Sequence, residues 1–414
     1  MSERYGNDMV KIDGGVTAPK GFKAAGIYAG IKKKKKDMAL VYSVIPAKAC
    51  GTFTTNIVKA APVLWDMKLL KESTNIQAVV LNSGVANACT GALGEENNYR
   101  MAAAMGKALG LNELSVLTAS TGVIGKQLPI EVIEQGCVML SQELDSTIEA
   151  GNDAASAIMT TDTYDKQCAV TFEMNGETIT IGGMAKGSGM IHPNMATMLG
   201  VVTTDLSITK ELLEEAIKAD VVDSFNMVSV DRDTSTNDSF ILIANGMAGN
   251  QMITERNEAY EEFKKALHYV TTDLAKKMAA DGEGATKLFE CQVIGAKDKE
   301  QAVTLSKSII TSNLVKTAIC GSDANWGRIL CAMGYAGVEF DPYKVDLYIK
   351  SSEGELKLVE DGMATDYSEE FATKILSQSE VTAIADIKAG EGKATAWGCD
   401  LTYDYIKINA DYRS

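Results

Sequence analysis

The chemistry of this chain concentrates at the Ala196-Thr197 bond, inside the glycine-rich, proline-interrupted run Met184–Gly200, MAKGSGMIHPNMATMLG. Glycines at 182, 183, 187 and 189 open backbone angles closed to other residues, so a peptide bond here can be held under strain. A threonine just after such a bond can attack the preceding carbonyl and shift the acyl group from nitrogen to oxygen. Hydrolysis of that ester leaves a new N-terminal threonine. Its α-amine has a reference pKa of about 7.7–8.0, against about 10.4 for lysine, so it can take the proton from its own hydroxyl near neutral pH.

Composition narrows the alternatives. Only two histidines occur, His192 and His268, so a Ser-His-Asp site would have to use His192, and a histidine-rich metal site has too few ligands. No metal is expected. Eight cysteines sit at 50, 89, 137, 168, 291, 320, 331 and 399 with no CxxC pair, and contexts such as Ala318–Cys320 and Ile329–Cys331 read as small buried hydrophobes. Cys89, in Ala88–Gly91, leaves a reactive thiol as the alternative.

The net charge of −15 and pI near 4.8 exclude a general nucleic-acid binder, because phosphate contacts need a basic face. The run Lys32–Lys36 reads as a solvated hairpin tip between strands at Tyr28–Ile31 and Met38–Ile45. Met1–Lys11 has no apolar h-region and no stretch reaches the roughly 20 apolar residues that span a bilayer, so a cytoplasmic protein without membrane partners is expected.

The elements that must position the reactive segment alternate between strand and helix. Ala39–Ile45 reads as a strand, Ala61–Glu72 as a helix with Pro62 in its first turn, and Ile76–Leu81 as a strand delivering Asn82–Gly84 to a sheet end. Helices are expected at Glu95–Leu111 and Ile130–Leu144. Asn175-Gly176 between Ala169–Met174 and Glu177–Ile181 is a hairpin signal, and the second of these strands leads into the reactive segment.

Beyond it, Met198–Val202 reads as a strand, Thr209 as the N-cap of a helix through Phe225, Asp231–Asn237 as a polar loop and Asn257–Ala280 as a long helix. Lys307–Ile319 and Asn325–Tyr335 are expected as helices. Val345–Lys350, Glu355–Val359, Val381–Lys388, Ala394–Trp397 and Asp400–Ile408 are expected as an antiparallel sheet interrupted by a helix at Ser368–Ser377.

The segment Gly183–Gly200 resembles the self-cleavage segment of the ornithine acetyltransferase family of arginine biosynthesis, also called bifunctional glutamate N-acetyltransferase. Other blocks match that family in the same order: NSGVANACTG from Asn82, TASTGVIG from Thr118, IMTTDT from Ile158, DTSTNDS from Asp233, DGEGATK from Asp281, GSDANWGRI from Gly321 and KINADYRS from Lys407. The likeness covers Gly14–Ser414. It implies a four-layer α/β/β/α fold of stacked sheets, like N-terminal-nucleophile hydrolases in layers but not in connectivity. It also implies cleavage at Ala196-Thr197 into chains 1–196 and 197–414, which stay together and pair into a heterotetramer of two of each.

By the same resemblance, Thr197 is the nucleophile and Thr121 and Gly122 stabilise the oxyanion. Substrate contacts fall on Thr160, with Thr161 beside it, and on Lys186, Thr197, Glu283, Asn409 and Ser414. The reaction implied is ping-pong transfer of acetyl from N-acetylornithine to glutamate through an acetyl-threonine, with no cofactor.

Some members also acetylate glutamate from acetyl-CoA, and the sequence leaves both kinds open. Taken alone, Thr121-Gly122 is equally a capped strand-to-helix turn, Lys186 a surface lysine and Glu283 a solvated acid. The family pattern has asparagine at Val85 and glycine at Arg232, departures that bear on substrate tuning. A related self-processing aminopeptidase or amidase, and a non-enzymatic glycine-rich binding protein, are the competing readings.

Overall fold

The structure is a computed structural model; it describes residues 4, 5, 9–73, 75–192 and 198–411. Chain order begins with β1 (Arg4–Tyr5), β2 (Met9–Ile12), β3 (Phe22–Ile27), β4 (Met38–Phe53), α1 (Ala61–Glu72), β5 (Ile76–Val85) and α2 (Gly91–Leu109). It continues with β6 (Val116–Val123), α3 (Ile130–Gln142), α4 (Ile148–Ala157), β7 (Lys166–Met174), β8 (Glu177–Lys186), β9 (Leu199–Thr204), α5 (Lys210–Asp223), β10 (Ser239–Ala244) and α6 (Glu258–Ala280). The last part holds β11 (Leu288–Ala296), α7 (Lys299–Thr311), α8 (Asn313–Cys320), α9 (Trp326–Gly334), β12 (Asp346–Ser351), β13 (Gly354–Glu360), β14 (Met363–Ala364), α10 (Glu369–Leu376), β15 (Glu380–Asp386), β16 (Gly392–Cys399) and α11 (Tyr403–Asp411).

Strand β4 belongs to two sheets at once. Its first half lies between β3 and β5, with β6 beyond; its second half pairs with β10, which continues through β9, β8, β7 and β2 to β1. The register slips between Tyr42 and Ala47, and there the strand passes from one layer to the other. Because side chains alternate across a strand, Ala39 and Val41 of β4 and Val79 and Leu81 of β5 face inward, meeting Met184, Leu199, Val201, Ile241 and Ile243 of the opposing sheet. Met38, Leu40, Ala78 and Val80 face outward onto Met101, Met105, Ile133 and Leu140 of α2 and α3. On the far side, Val170, Ile181, Val202 and Phe240 pack on α5 and α6. The order is helices, sheet, sheet, helices: the four-layer α/β/β/α architecture.

A six-stranded sheet, in the order β14-β13-β12-β15-β11-β16, lies against the other flank of α6. Helix α6 therefore packs on both sheets, and Tyr260, Phe263, Leu267, Val270, Leu274 and Met278 are buried along it. Asn257 caps its first turn by accepting from the Tyr260 N–H, at 3.1 Å. Thr209 caps α5 as expected, and Asn175 and Gly176 take positive φ of 53° and 86° in the β7–β8 hairpin.

Four expectations are corrected. The residues expected as one helix at 307–319 belong to two, α7 and α8, because Ser312 leaves helical geometry and caps the second by accepting from the Val315 N–H. Asp400–Ile408 is not a strand: the chain leaves β16 at Cys399 and forms α11, started by the Thr402 hydroxyl accepting from the Asp404 N–H. The last sheet is not wholly antiparallel, since β11 and β15 run parallel. Cys331 is exposed rather than buried.

The lysine run also differs from a wholly solvated tip flanked by Tyr28–Ile31. Strand β3 ends at Ile27, Lys33–Lys35 are exposed, and Lys32 turns back so that its ammonium donates to the Met159 carbonyl at 3.0 Å. Burial lowers its pKa to about 8.

Candidate active site

A cavity of about 140 Å³ opens where strand ends of both central sheets meet the turn after α6 and the helix α11. A single water needs roughly 10–15 Å³, so the cavity has room for a small organic ligand. Thr121, Gly122, Thr160, Lys186, Glu283 and Asn409 all line it, with Thr161, Met190, Ile191, Met198 and Asn237. Ala196, Thr197 and Ser414 lie outside the described residues. The described residues nearest the 196–197 bond on either side, Met198 and the pair Ile191 and His192, include two that line the cavity.

Thr121 and Gly122 close β6. Gly122 has a φ of 129°, and a Cβ there would lie 2.3 Å from the Gly84 carbonyl carbon of the paired β5. Only glycine allows that approach. Asn237 braces this strand end, its side-chain amide donating to the Ser120 carbonyl at 2.8 Å and also to the Ala86 carbonyl.

Thr160 and Lys186 are tied together from beneath by Asp162. This carboxylate accepts from the Thr160 N–H at 3.0 Å, the Gly187 N–H at 2.8 Å and the Lys166 ammonium at 2.8 Å, and the Lys186 Nζ is 3.8 Å away. Burial alone would raise the Asp162 pKa, but Lys186 and Lys166 hold the carboxyl well below the usual carboxylate range. Lys166 is fully buried and also donates to Asp281 at 2.6 Å, while the Thr163 hydroxyl donates to the same Asp281.

Glu283 follows α6. Its N–H donates to the Ser188 carbonyl at 2.9 Å, and its carboxyl packs so closely on Gly189 that a Cβ there would be 2.4 Å from either oxygen. The Asn409 amide donates to Glu283 Oε2 at 2.7 Å, so α11 reaches the cavity through this pair. Gly284, at φ 71°, permits the helix to dock: a Cβ there would lie 2.6 Å from the Tyr405 nitrogen. The Thr402 hydroxyl donates to the Gly284 carbonyl at 2.6 Å.

The residues named from the sequence therefore converge wherever they are described. Asp162, Asn237 and Asp238 were missed as individuals, although each lies in or beside a quoted block; their burial is a tertiary property with no local signal. Cys89 is exposed and does not line this cavity. The His192 ring is 3.0 Å from the hydroxyl of buried Ser229, and burial, with Lys307 and Arg232, pushes it down to about 4, so it is neutral at pH 7. Among the described residues no group of three His, Cys, Asp or Glu side chains is placed to hold a metal ion.

The ArgJ family profile matches residues 23–414. An arginine biosynthesis bifunctional protein ArgJ of Caldanaerobacter subterraneus subsp. tengcongensis is 52% identical over 403 residues, covering 97% of this chain and 99% of that protein. The arginine biosynthesis bifunctional protein ArgJ 1 of Clostridium acetobutylicum is 52% identical over 394 residues, covering 95% and 96%. A solved ornithine acetyltransferase chain from Mycobacterium tuberculosis, complexed with ornithine, is 42% identical over 45% of this chain and 100% of its own, with a TM-score of 0.43. The chain belongs to the ArgJ family.

Proposed function

We propose that this protein is the acetyltransferase of arginine biosynthesis that moves an acetyl group from N-acetylornithine to glutamate, after cutting itself between Ala196 and Thr197. The observation that carries the reading is the convergence on one cavity of Thr121, Gly122, Thr160, Lys186, Glu283 and Asn409, from five separate segments, with Ile191 and Met198 from either side of the cut. Lys186 and Glu283 supply one charge of each sign, which suits an amino-acid substrate: the ammonium for its carboxylate, the carboxylate for its amine.

In this mechanism the hydroxyl of Thr197 attacks the acetyl carbonyl while its own α-amine takes the proton. Negative charge develops on the carbonyl oxygen beside Thr121 and Gly122, where donors aimed at an oxyanion are worth roughly 100- to 1,000-fold in rate. The amine returns the proton to the leaving nitrogen of ornithine. Glutamate then attacks the acetyl-threonine ester and leaves as N-acetylglutamate. Thr160 and Ser414 complete the substrate contacts, and the scheme calls for neither metal nor cofactor.

Acetyl-CoA is a second acetyl donor in this reading, since the relatives are named as bifunctional. Chains 1–196 and 197–414 form a heterotetramer of two of each. Among the described residues no helix is long and apolar enough to cross a membrane; a cytoplasmic location accords with the substrates.

Intact mass and N-terminal sequencing of the wild type beside Thr197→Ala tests the proposal. Two fragments, the second beginning Thr-Met-Leu-Gly, with transfer from N-acetylornithine to glutamate in the wild type alone, support it. An active wild type in one piece overturns it.

A further inference from the structure

The lysine run Lys32–Lys36 has no part in the reaction above, yet its turn borders the cavity. The turn is held from beneath by Asp37, a fully buried residue whose carboxylate accepts from the Ala29 N–H at 2.7 Å, the Gly30 N–H at 3.1 Å and the Lys32 N–H at 2.8 Å. The Asp37 carbonyl accepts from the Ser83 N–H at 2.9 Å, which ties the turn to β5. The Lys32 stem crosses Gly84 so closely that a Cβ there would lie 3.0 Å from its Cγ, and Gly84 is paired with Gly122 of the cavity wall. The Lys32 ammonium ends on the Met159 carbonyl, one residue before Thr160 of the same wall. There it is within electrostatic reach of Lys35, Asp162 and Lys186.

Lys36 is paired with Asp153. Lys33, Lys34 and Lys35 are exposed, and among the described residues no carboxylate lies within ion-pair distance of them. In a chain of net charge −15, three adjacent uncompensated cations repel one another and form a local positive site that an anionic ligand meets on its way to the cavity. N-acetylornithine and glutamate carry only carboxylates, which Lys186 can serve within the cavity. Acetyl-CoA differs, because a long flexible arm joins its acetyl group to a diphosphate and a 3′-phosphate. We propose that Lys33, Lys34 and Lys35 bind the phosphates of acetyl-CoA at the cavity rim while its acetyl end enters beside Thr121 and Gly122, an assignment that rests on the acetyl-CoA reading above. Ammonium groups on long stems suit the task, since they act as point charges that follow a phosphate without fixing its geometry.

The test compares steady-state kinetics of the wild type with the triple variant Lys33→Gln, Lys34→Gln, Lys35→Gln and with the matching triple arginine variant, using acetyl-CoA and N-acetylornithine in turn as donors to glutamate. The glutamine variant should raise KM for acetyl-CoA roughly tenfold, and the arginine variant should keep it near the wild-type value. Both variants should match the wild type with N-acetylornithine, which also shows that they fold. Added salt should raise the wild-type KM for acetyl-CoA more than that of the glutamine variant, because exposed charges are screened. An acetyl-CoA KM unchanged in the glutamine variant, or equal losses with both donors, overturns the assignment alone. A wild type that transfers from N-acetylornithine but not from acetyl-CoA overturns the acetyl-CoA reading as well.

Discussion

One wall of the cavity is made of strand ends braced by buried charge, and the facing wall is a helix none of whose side chains is buried. On the first wall, Thr121, Gly122, Thr160 and Lys186 are fixed by β-pairing and by the Asp162–Lys166–Asp281 cluster. On the second, Asn409 reaches the cavity from α11, which is held mainly by Gly284, Thr402 and Glu283. The difference separates two tasks. Groups proposed to act on the reacting carbonyl sit where a fraction of an ångström matters, whereas a substrate contact tolerates a helix that docks.

The comparison breaks most directly at Asp162. Asp162→Ala leaves the ammonium of Lys166 in a fully buried site without one of its carboxylates, and removing one partner of a buried pair costs about 3–5 kcal/mol. Chemical denaturation should register that loss, along with abolished transfer. The Asp162 carboxyl is held low, so its stabilisation is present above the unfolded pKa of about 3.9 and is lost only as pH falls further, through the folded value. The wild type should show no weakening from this group between pH 5 and 8, as a pH series of melts would check.

Gly122→Ala comes next. It places a Cβ against Gly84 at positive φ, with an expected cost of about 1–3 kcal/mol and a fall in kcat of roughly 100-fold from displacement of the proposed oxyanion site. On the helical wall the same kind of change should behave differently. Gly284→Ala displaces α11 and should raise KM with a melting shift worth about 1 kcal/mol. Asn409→Ala should raise KM roughly tenfold and leave stability within about 0.5 kcal/mol, because the residue is exposed. If Asn409→Ala instead lowers kcat as far as Gly122→Ala does, the division of labour between the walls is wrong.

The smallest effect lies behind the rigid wall, on α6. The hydrogen bond from His268 to Asp220 raises the histidine pKa. That stabilisation is present in full below the unfolded pKa of about 6.5 and is lost as pH rises through the folded value. His268→Gln should therefore lower the melting temperature slightly at pH 5.5 and less at pH 9; the side chain is 48% exposed, which keeps the effect small.

The parts of this fold legible in the sequence are those with local causes. Helix α1 begins at Pro62 in its first turn, α5 and α6 begin at the capping residues Thr209 and Asn257, and the β7–β8 turn is written in Asn175-Gly176. The break at Ser312 was hidden because buried apolar residues continue on both sides of it, Ile309 and Ile310 before and Val315 and Ile319 after, and the cap is a single hydroxyl. Helix α11 was misread because Leu401, Tyr403 and Tyr405 alternate with polar residues and so pass for a strand, while the helix docks through a contact with Gly284. The site residues were named by resemblance of whole blocks. Chemistry alone left Lys186 and Glu283 as ordinary surface charges, and nothing local distinguishes Asp238 from a solvated acid.

The pairing of β8 with β9, six residues in antiparallel register from Ile181–Thr204 to Lys186–Leu199, has a consequence for the life of the protein if the proposed cut is made. The proposed second chain would contribute β9 and β10, which lie between β8 and β4 of the first. An uncut chain forms this ladder within one molecule. Once cut and unfolded, the two pieces must find each other in solution, and the shorter path of loop closure is gone. Reassembly then depends on concentration and competes with aggregation of unpaired strands. Heat inactivation of the mature enzyme should accordingly be one-way in dilute solution, whereas the uncut Thr197→Ala chain should recover on cooling.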